Sequence, residues 1–136
     1  MANKTTLGII IGNRDFFPDS LVETARNQVI ELCQTLNITP IVLDGTTTKL
    51  GGVETYQEAK KCASLFKQHA QDIIGVWVVL PNFGDEKGVA DTLKLAGLNV
   101  PVLVQGYPDD LDRLDVIRRR DAFCGKISVT NNFWQY

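Results

Sequence analysis

Four short apolar runs rich in β-branched residues, at residues 7–11, 38–43, 73–80 and 100–104, recur along the chain, and a helix-length amphipathic segment follows each of the first three. Each run is bounded by Gly, Pro, Asn or Asp, the residues that punctuate strands. Because the runs are apolar on both alternating faces, they suit a parallel sheet covered on both sides better than a half-exposed antiparallel one. Parallel neighbours need crossovers, and right-handed crossovers restrict how the strands can stack. The alternation therefore predicts an α/β fold: a three-layer Rossmann/flavodoxin-like parallel sheet in the order 2-1-3-4. The 136 residues suffice for one such core and are too few for two, so residues 1–136 are read as a single domain.

The intervening segments carry helical spacing. Ser20-Leu21-Val22-Glu23 has the form of a capping box, with Pro18 just before it. From there Leu21, Val22, Ala25, Val29, Leu32 and Leu36 recur at three- and four-residue steps as one apolar stripe. Val53, Tyr56, Ala59, Ala63, Phe66 and Ala70 repeat the pattern, and a shorter helix is expected over residues 87–96, stopping at Gly97. After the fourth run come a polar loop, the basic run Arg118-Arg119-Arg120, and residues 121–136, read as a loop leading into a helix. A flavodoxin-like sheet would need a fifth strand, and the chain stops before it. The domain thus reads as truncated, with Phe133, Trp134 and Tyr136 clustered at its open end.

Composition narrows the function. Fourteen Lys and Arg against sixteen Asp and Glu leave a net charge of -2, which gives no basic field for nucleic acid. The longest apolar run falls well short of a bilayer span, and no export signal follows Met1, so no membrane role is expected. Three cysteines without a CxxC pair, Cys33, Cys62 and Cys124, point to a reducing cytoplasm rather than a disulfide framework. A single histidine, His69, excludes a catalytic triad or multi-histidine metal site built from this chain alone.

In such sheets ligands bind beyond the carboxyl ends of the strands. The loop after the first strand, Gly12-Asn13-Arg14-Asp15-Phe16-Phe17-Pro18, offers a guanidinium fork, an amide and two rings, suited to a polyhydroxylated ligand or equally to a surface cluster. Phe83, Asp85 and Glu86 follow the third strand, where Asp85 also suits a helix cap and Glu86 the helix dipole. Gln105 and Tyr107, ahead of Pro108-Asp109-Asp110, offer an amide and a phenol in what is also ordinary turn chemistry. Residues 44–52, with three threonines and Gly51-Gly52, read as a lid or a flexible connection. Near the end, Lys126 follows Gly125 as a weak anion signal, and Cys124 is expected to be buried rather than nucleophilic. The triple arginine suits a solvated face or an interface. FMN is disfavoured because the bulky Asn13-Arg14-Asp15-Phe16-Phe17 turn would obstruct its phosphate. Receiver-type phosphotransfer is disfavoured because Leu80-Pro81-Asn82 stands where the acceptor aspartate should be.

Taken together, Ile11-Gly12-Asn13-Arg14-Asp15-Phe16-Phe17-Pro18, Gly52-Val53-Glu54-Thr55, Leu80-Pro81-Asn82-Phe83-Gly84-Asp85-Glu86 and Arg119-Arg120-Asp121-Ala122-Phe123-Cys124-Gly125-Lys126-Ile127-Ser128 span nearly the whole chain. With these blocks the chain resembles the N-terminal region of the L-fucose/L-arabinose isomerase-like sugar ketol-isomerases. The resemblance implies a Rossmann-like N-terminal domain whose loops help close a monosaccharide site in a homo-oligomer, the sugar being L-fucose, L-arabinose or a related aldose. It further implies that manganese or another divalent metal, and the acid–base residues, belong to later domains of the full-length protein. The isolated chain is then expected to have no cofactor and no isomerase activity. Arg14, Phe83, Asp85, Glu86, Gln105, Tyr107 and Lys126 carry over as substrate-binding candidates, with no catalytic or metal-binding residue among them. Two other readings stay open: a free-standing small-molecule-binding module, and a purely structural oligomerisation domain.

Overall fold

A computed structural model describes residues 4–135. Its sheet contains β1 (Thr5–Gly12), β2 (Ile38–Val42), β3 (Gly52–Val53), β4 (Ile73–Leu80) and β5 (Val102–Gly106), all pairing in parallel. The main path runs β2-β1-β4-β5, while β3 adds to the upper part of β1 alongside Ile11 and Gly12. This is the expected order 2-1-3-4 with one small strand added. The helices are α1 (Asp19–Thr35), α2 (Tyr56–Gln68), α3 (Glu86–Ala96) and α4 (Ala122–Gln135), and the arrangement is the three-layer flavodoxin-like one.

The layers are unequal. Ile10, Val76, Val78 and Leu80 of the sheet pack with Ala59, Cys62, Ala63 and Phe66 of α2, Val89 of α3 and Val129 of α4. On the opposite face Ile9, Ile11 and Val79 meet Val22, Ala25, Val29 and Cys33 of α1 alone. Three helices therefore cover one face and a single helix the other. Leu103 of β5 is 63% exposed as a result, and the edge strand is not covered as two-sided apolarity predicted.

Local expectations are corrected at several points. The Ser20–Glu23 capping box does not form, because Pro18 takes the extended N-cap position and places Ser20 inside the first turn, with no side-chain cap. A capping box does form one helix later, where Thr55 and Glu58 satisfy each other's backbone amides at the start of α2. Val53, read as part of that helix, belongs to β3. Leu32 on α1 and Leu36 at its C-cap stay exposed and Cys33 is buried in their place, because the buried stripe follows Val22, Ala25 and Val29 round the helix. Residues 44–52 are held in place: the Thr48 hydroxyl donates to the Gly52 carbonyl at 2.8 Å and Lys61 Nζ to the Thr47 carbonyl at 2.9 Å. The third helix stops where expected, at Gly97 in a left-handed conformation with φ 60°. Of the terminal aromatic cluster, Phe133 packs against the core and Trp134 is 91% exposed, while Tyr136 lies outside the described residues.

Candidate functional site

The carboxyl ends of β1, β3 and β4 are tied together by buried amides. Asn82 Nδ2 donates to Asn13 Oδ1 at 2.7 Å, and Asn13 Nδ2 donates to Glu54 Oε1 at 3.1 Å. Asn82 Oδ1 accepts from the Gly84 amide at 2.9 Å, and the Asn13 amide donates to the Val53 carbonyl at 3.0 Å. Asn82 is fully buried and Asn13 nearly so, which makes this a satisfied polar network that sets the loops in register.

Arg14 rises from that platform. Its guanidinium carbon lies 4.8 Å from the Phe83 ring centroid and 6.0 Å from that of Phe16, and its Nη1 donates to Glu86 Oε2 at 3.3 Å. Two rings and a carboxylate thus orient one fork. Asp85 caps α3 by accepting from the Gly88 amide at 2.6 Å, so the helix-cap reading holds for it. Arg14, Asp15, Phe16, Glu54, Thr55 and Asp85 line an open cleft of about 420 Å³. Burial raises the Glu54 carboxyl above its ordinary range; Lys49 and the Asn13 hydrogen bond oppose the shift, and Glu58 and Asp15 add to it.

Of the seven candidates, Arg14, Phe83, Asp85 and Glu86 come together here. The others do not join them. Gln105 belongs to β5 rather than to the loop after it, because that strand begins and ends two residues later than its apolar run suggests; its Oε1 is buried without a protein partner. Tyr107 turns to the α1 side, where its hydroxyl donates to Gln28 Oε1 at 3.0 Å and burial raises its pKa against the opposing pull of Arg120. Lys126 Nζ sits 5.3 Å from the Phe123 ring centroid on α4. Cys124 is exposed, contrary to expectation, because the inward positions of α4 are taken by Ala122, Gly125 and Val129. His69 is the C-cap of α2, away from the strand carboxyl ends.

Sequence reasoning gave Asn82 and Glu54 no role, and it read the Asn13 amide as ligand-facing rather than as the link between them. A signal existed, since each falls at the carboxyl end of a strand inside a block that carries the resemblance. Among the described residues no group of three or more His, Cys, Asp or Glu side chains is arranged to hold a metal ion. No helix of the described residues is long and apolar enough to cross a membrane.

The chain is thus a flavodoxin-like α/β domain that carries an oriented guanidinium, aromatic rings and carboxylates at the strand carboxyl ends, the edge at which sheets of this class take their ligands. Residues 8–136 match the family model described as fucose/sulfoquinovose isomerase, N-terminal domain, and the chain belongs to that family. Comparison with curated proteins and with solved structures gives no significant match.

Proposed function

We propose that this domain recognises a monosaccharide and contributes to the assembly of an isomerase that interconverts aldose and ketose. The observation that carries the reading is Arg14, held by Phe83, Phe16 and Glu86 at the rim of a cleft whose other polar groups are Asp15, Glu54, Thr55 and Asp85. A fixed fork donates to adjacent hydroxyls, carboxylates accept from them, and a ring covers the apolar face of a sugar. L-fucose, L-arabinose and related aldoses have this chemistry. Moving a proton between C1 and C2 requires a poised base, and in this family reading a divalent metal, usually manganese, polarises the sugar oxygens. In the same family reading both belong to other domains of the full-length protein. The chain alone then binds sugar weakly and turns none over.

The test is a sugar titration of the 136-residue chain followed by backbone NMR. Saturable shifts around residues 13–16 and 83–86, lost in Arg14→Ala and kept in His69→Ala, are expected. Equal shifts in wild type and Arg14→Ala, or manganese-dependent isomerisation by this chain alone, would overturn the proposal.

The assembly half draws on the single-helix face. Leu36, Trp77, Val102 and Leu103 line an apolar groove there, beside the edge of β5 that pairs with no strand among the described residues. A second copy of the chain burying that groove makes a homo-oligomer the expected state.

A further inference from the structure

The segment after β5 folds back over the start of α1, and its path divides the basic run. Arg119 turns away, its Nε 3.1 Å from Asp121 Oδ2. Arg118 and Arg120 instead join Arg113 along a cleft of about 380 Å³ whose other wall is Pro18, Ser20 and Leu21. Three arginines thus line the cleft, with Asp110 the one acidic residue among the lining.

The three arginines are held differently. Arg113 pairs with Asp110 at 3.6 Å and Arg118 pairs with Asp115, both on the exposed surface, where ion pairs contribute little and exchange partners readily. Arg120 is half-buried and fixed from behind: its Nη1 donates to the Pro81 carbonyl at 3.0 Å and its guanidinium carbon lies 5.4 Å from the Tyr107 ring centroid. Its backbone amide donates to Asp109 Oδ1 at 2.5 Å, and among the described residues no carboxylate pairs with its guanidinium. A guanidinium has five donors, and only one of those on Arg120 meets a protein acceptor. Ser20, in the first turn of α1, brings a hydroxyl to the facing wall, where the Leu21 amide already donates to the Pro18 carbonyl at 3.1 Å.

We propose that this cleft binds a tetrahedral oxyanion of the phosphate or sulfonate class, held by Arg113, Arg118 and Arg120 and met by Ser20. Three forks approaching from separate positions match an anion with three outward oxygens better than a planar carboxylate. A nucleic-acid backbone does not fit, since the chain carries a net charge of -2 and the arginines form one pocket rather than a stripe. The inference does not rest on the sugar reading. The arginine cleft lies on the α1 side of the sheet, and Arg14 stands with α2 and α3 on the other.

The experiment titrates the chain with inorganic phosphate and, separately, with methanesulfonate at constant ionic strength, with acetate as the planar control. Backbone amides of Ser20 and Leu21 and the arginine Nε–H signals are followed by NMR. Saturable shifts with either tetrahedral anion are expected, and the tighter of the two identifies the group. The double variant Arg113→Gln/Arg118→Gln should weaken binding roughly tenfold or more, as expected for loss of charge-assisted contacts. Arg119→Gln and Arg14→Ala should leave it unchanged. Arg120→Gln should abolish it, and because that side chain also anchors Pro81, the double variant at the exposed positions keeps the test independent of folding. Absence of saturation, equal response to acetate, or binding unaltered in the double variant would overturn the proposal.

Discussion

The backbone carbonyl of Phe83 presses against the bare Cα of Gly125, so closely that a Cβ built on Gly125 would stand 1.9 Å from that oxygen. Helix α4 thereby buttresses the loop whose ring supports Arg14.

Gly125→Ala should therefore be among the most damaging single changes, because the obstructing atom is backbone and cannot rotate away. Overpacking of this kind costs about 1–3 kcal/mol or more. Gly45, where a Cβ would meet nothing nearer than 3.9 Å, serves as the control. Thermal or urea melts should show a large loss for Gly125→Ala and a negligible one for Gly45→Ala. Equal stability of the two variants would show that α4 does not rest on the Phe83 loop.

Glu54 should make stability depend on pH. Its carboxyl pKa is raised by burial in the folded chain, so the folded state holds that proton more tightly than the unfolded one. Its contribution favours folding below the unfolded pKa and turns unfavourable as pH rises through the folded one. Glu54→Gln removes that penalty while keeping an oxygen for Asn13. The Tm of the variant should exceed that of wild type at neutral pH, and the gap should close on acidification through the glutamate range. A gap independent of pH would contradict the assignment.

The three cysteines should separate cleanly by reactivity. Cys33 and Cys62 are fully buried, and burial raises the Cys33 thiol and pushes that of Cys62 up to about 12, so neither offers thiolate near neutrality. Cys124 is exposed. A thiol-disulfide reagent should modify one thiol rapidly in the native protein and all three after denaturation. Rapid native labelling of Cys62 would refute the packing of α2.

Self-association should depend on the apolar groove beside β5. Leu103 and Leu36 are 63% and 57% exposed, and an acidic residue at either should cost the folded monomer little while disfavouring burial against another copy. Light scattering should show wild type larger than 15.1 kDa at micromolar concentration and Leu103→Glu shifted toward that mass. Wild type found only as the 15.1 kDa species would count against assembly through this face.

Much of the candidate site was legible as loops but not as contacts. Arg14, Phe83 and Glu86 could be placed at the same end of the sheet because each follows a recognisable strand. The Asn13–Glu54 and Asn82–Asn13 hydrogen bonds join residues 41 and 69 positions apart, and no local spacing reports such pairs. Gln105 and Tyr107 looked equivalent to Phe83 in sequence, yet the register of β5 turns them toward the α1 side.

What the sequence determined by itself was the class of fold and the ends of its best-marked elements. Apolar runs, helical spacing and the cap at Gly97 are local properties, and parallel strands joined by helices leave few arrangements open. Tertiary structure decided the rest: that Pro18 displaces the Ser20 cap, that α4 joins α2 and α3 to leave α1 alone on its face, and that the triple arginine divides around a cleft. The first is a local contest for the N-cap position, and the other two depend on which surfaces bury one another across long separations in the chain, a competition that periodicity along a single segment does not record.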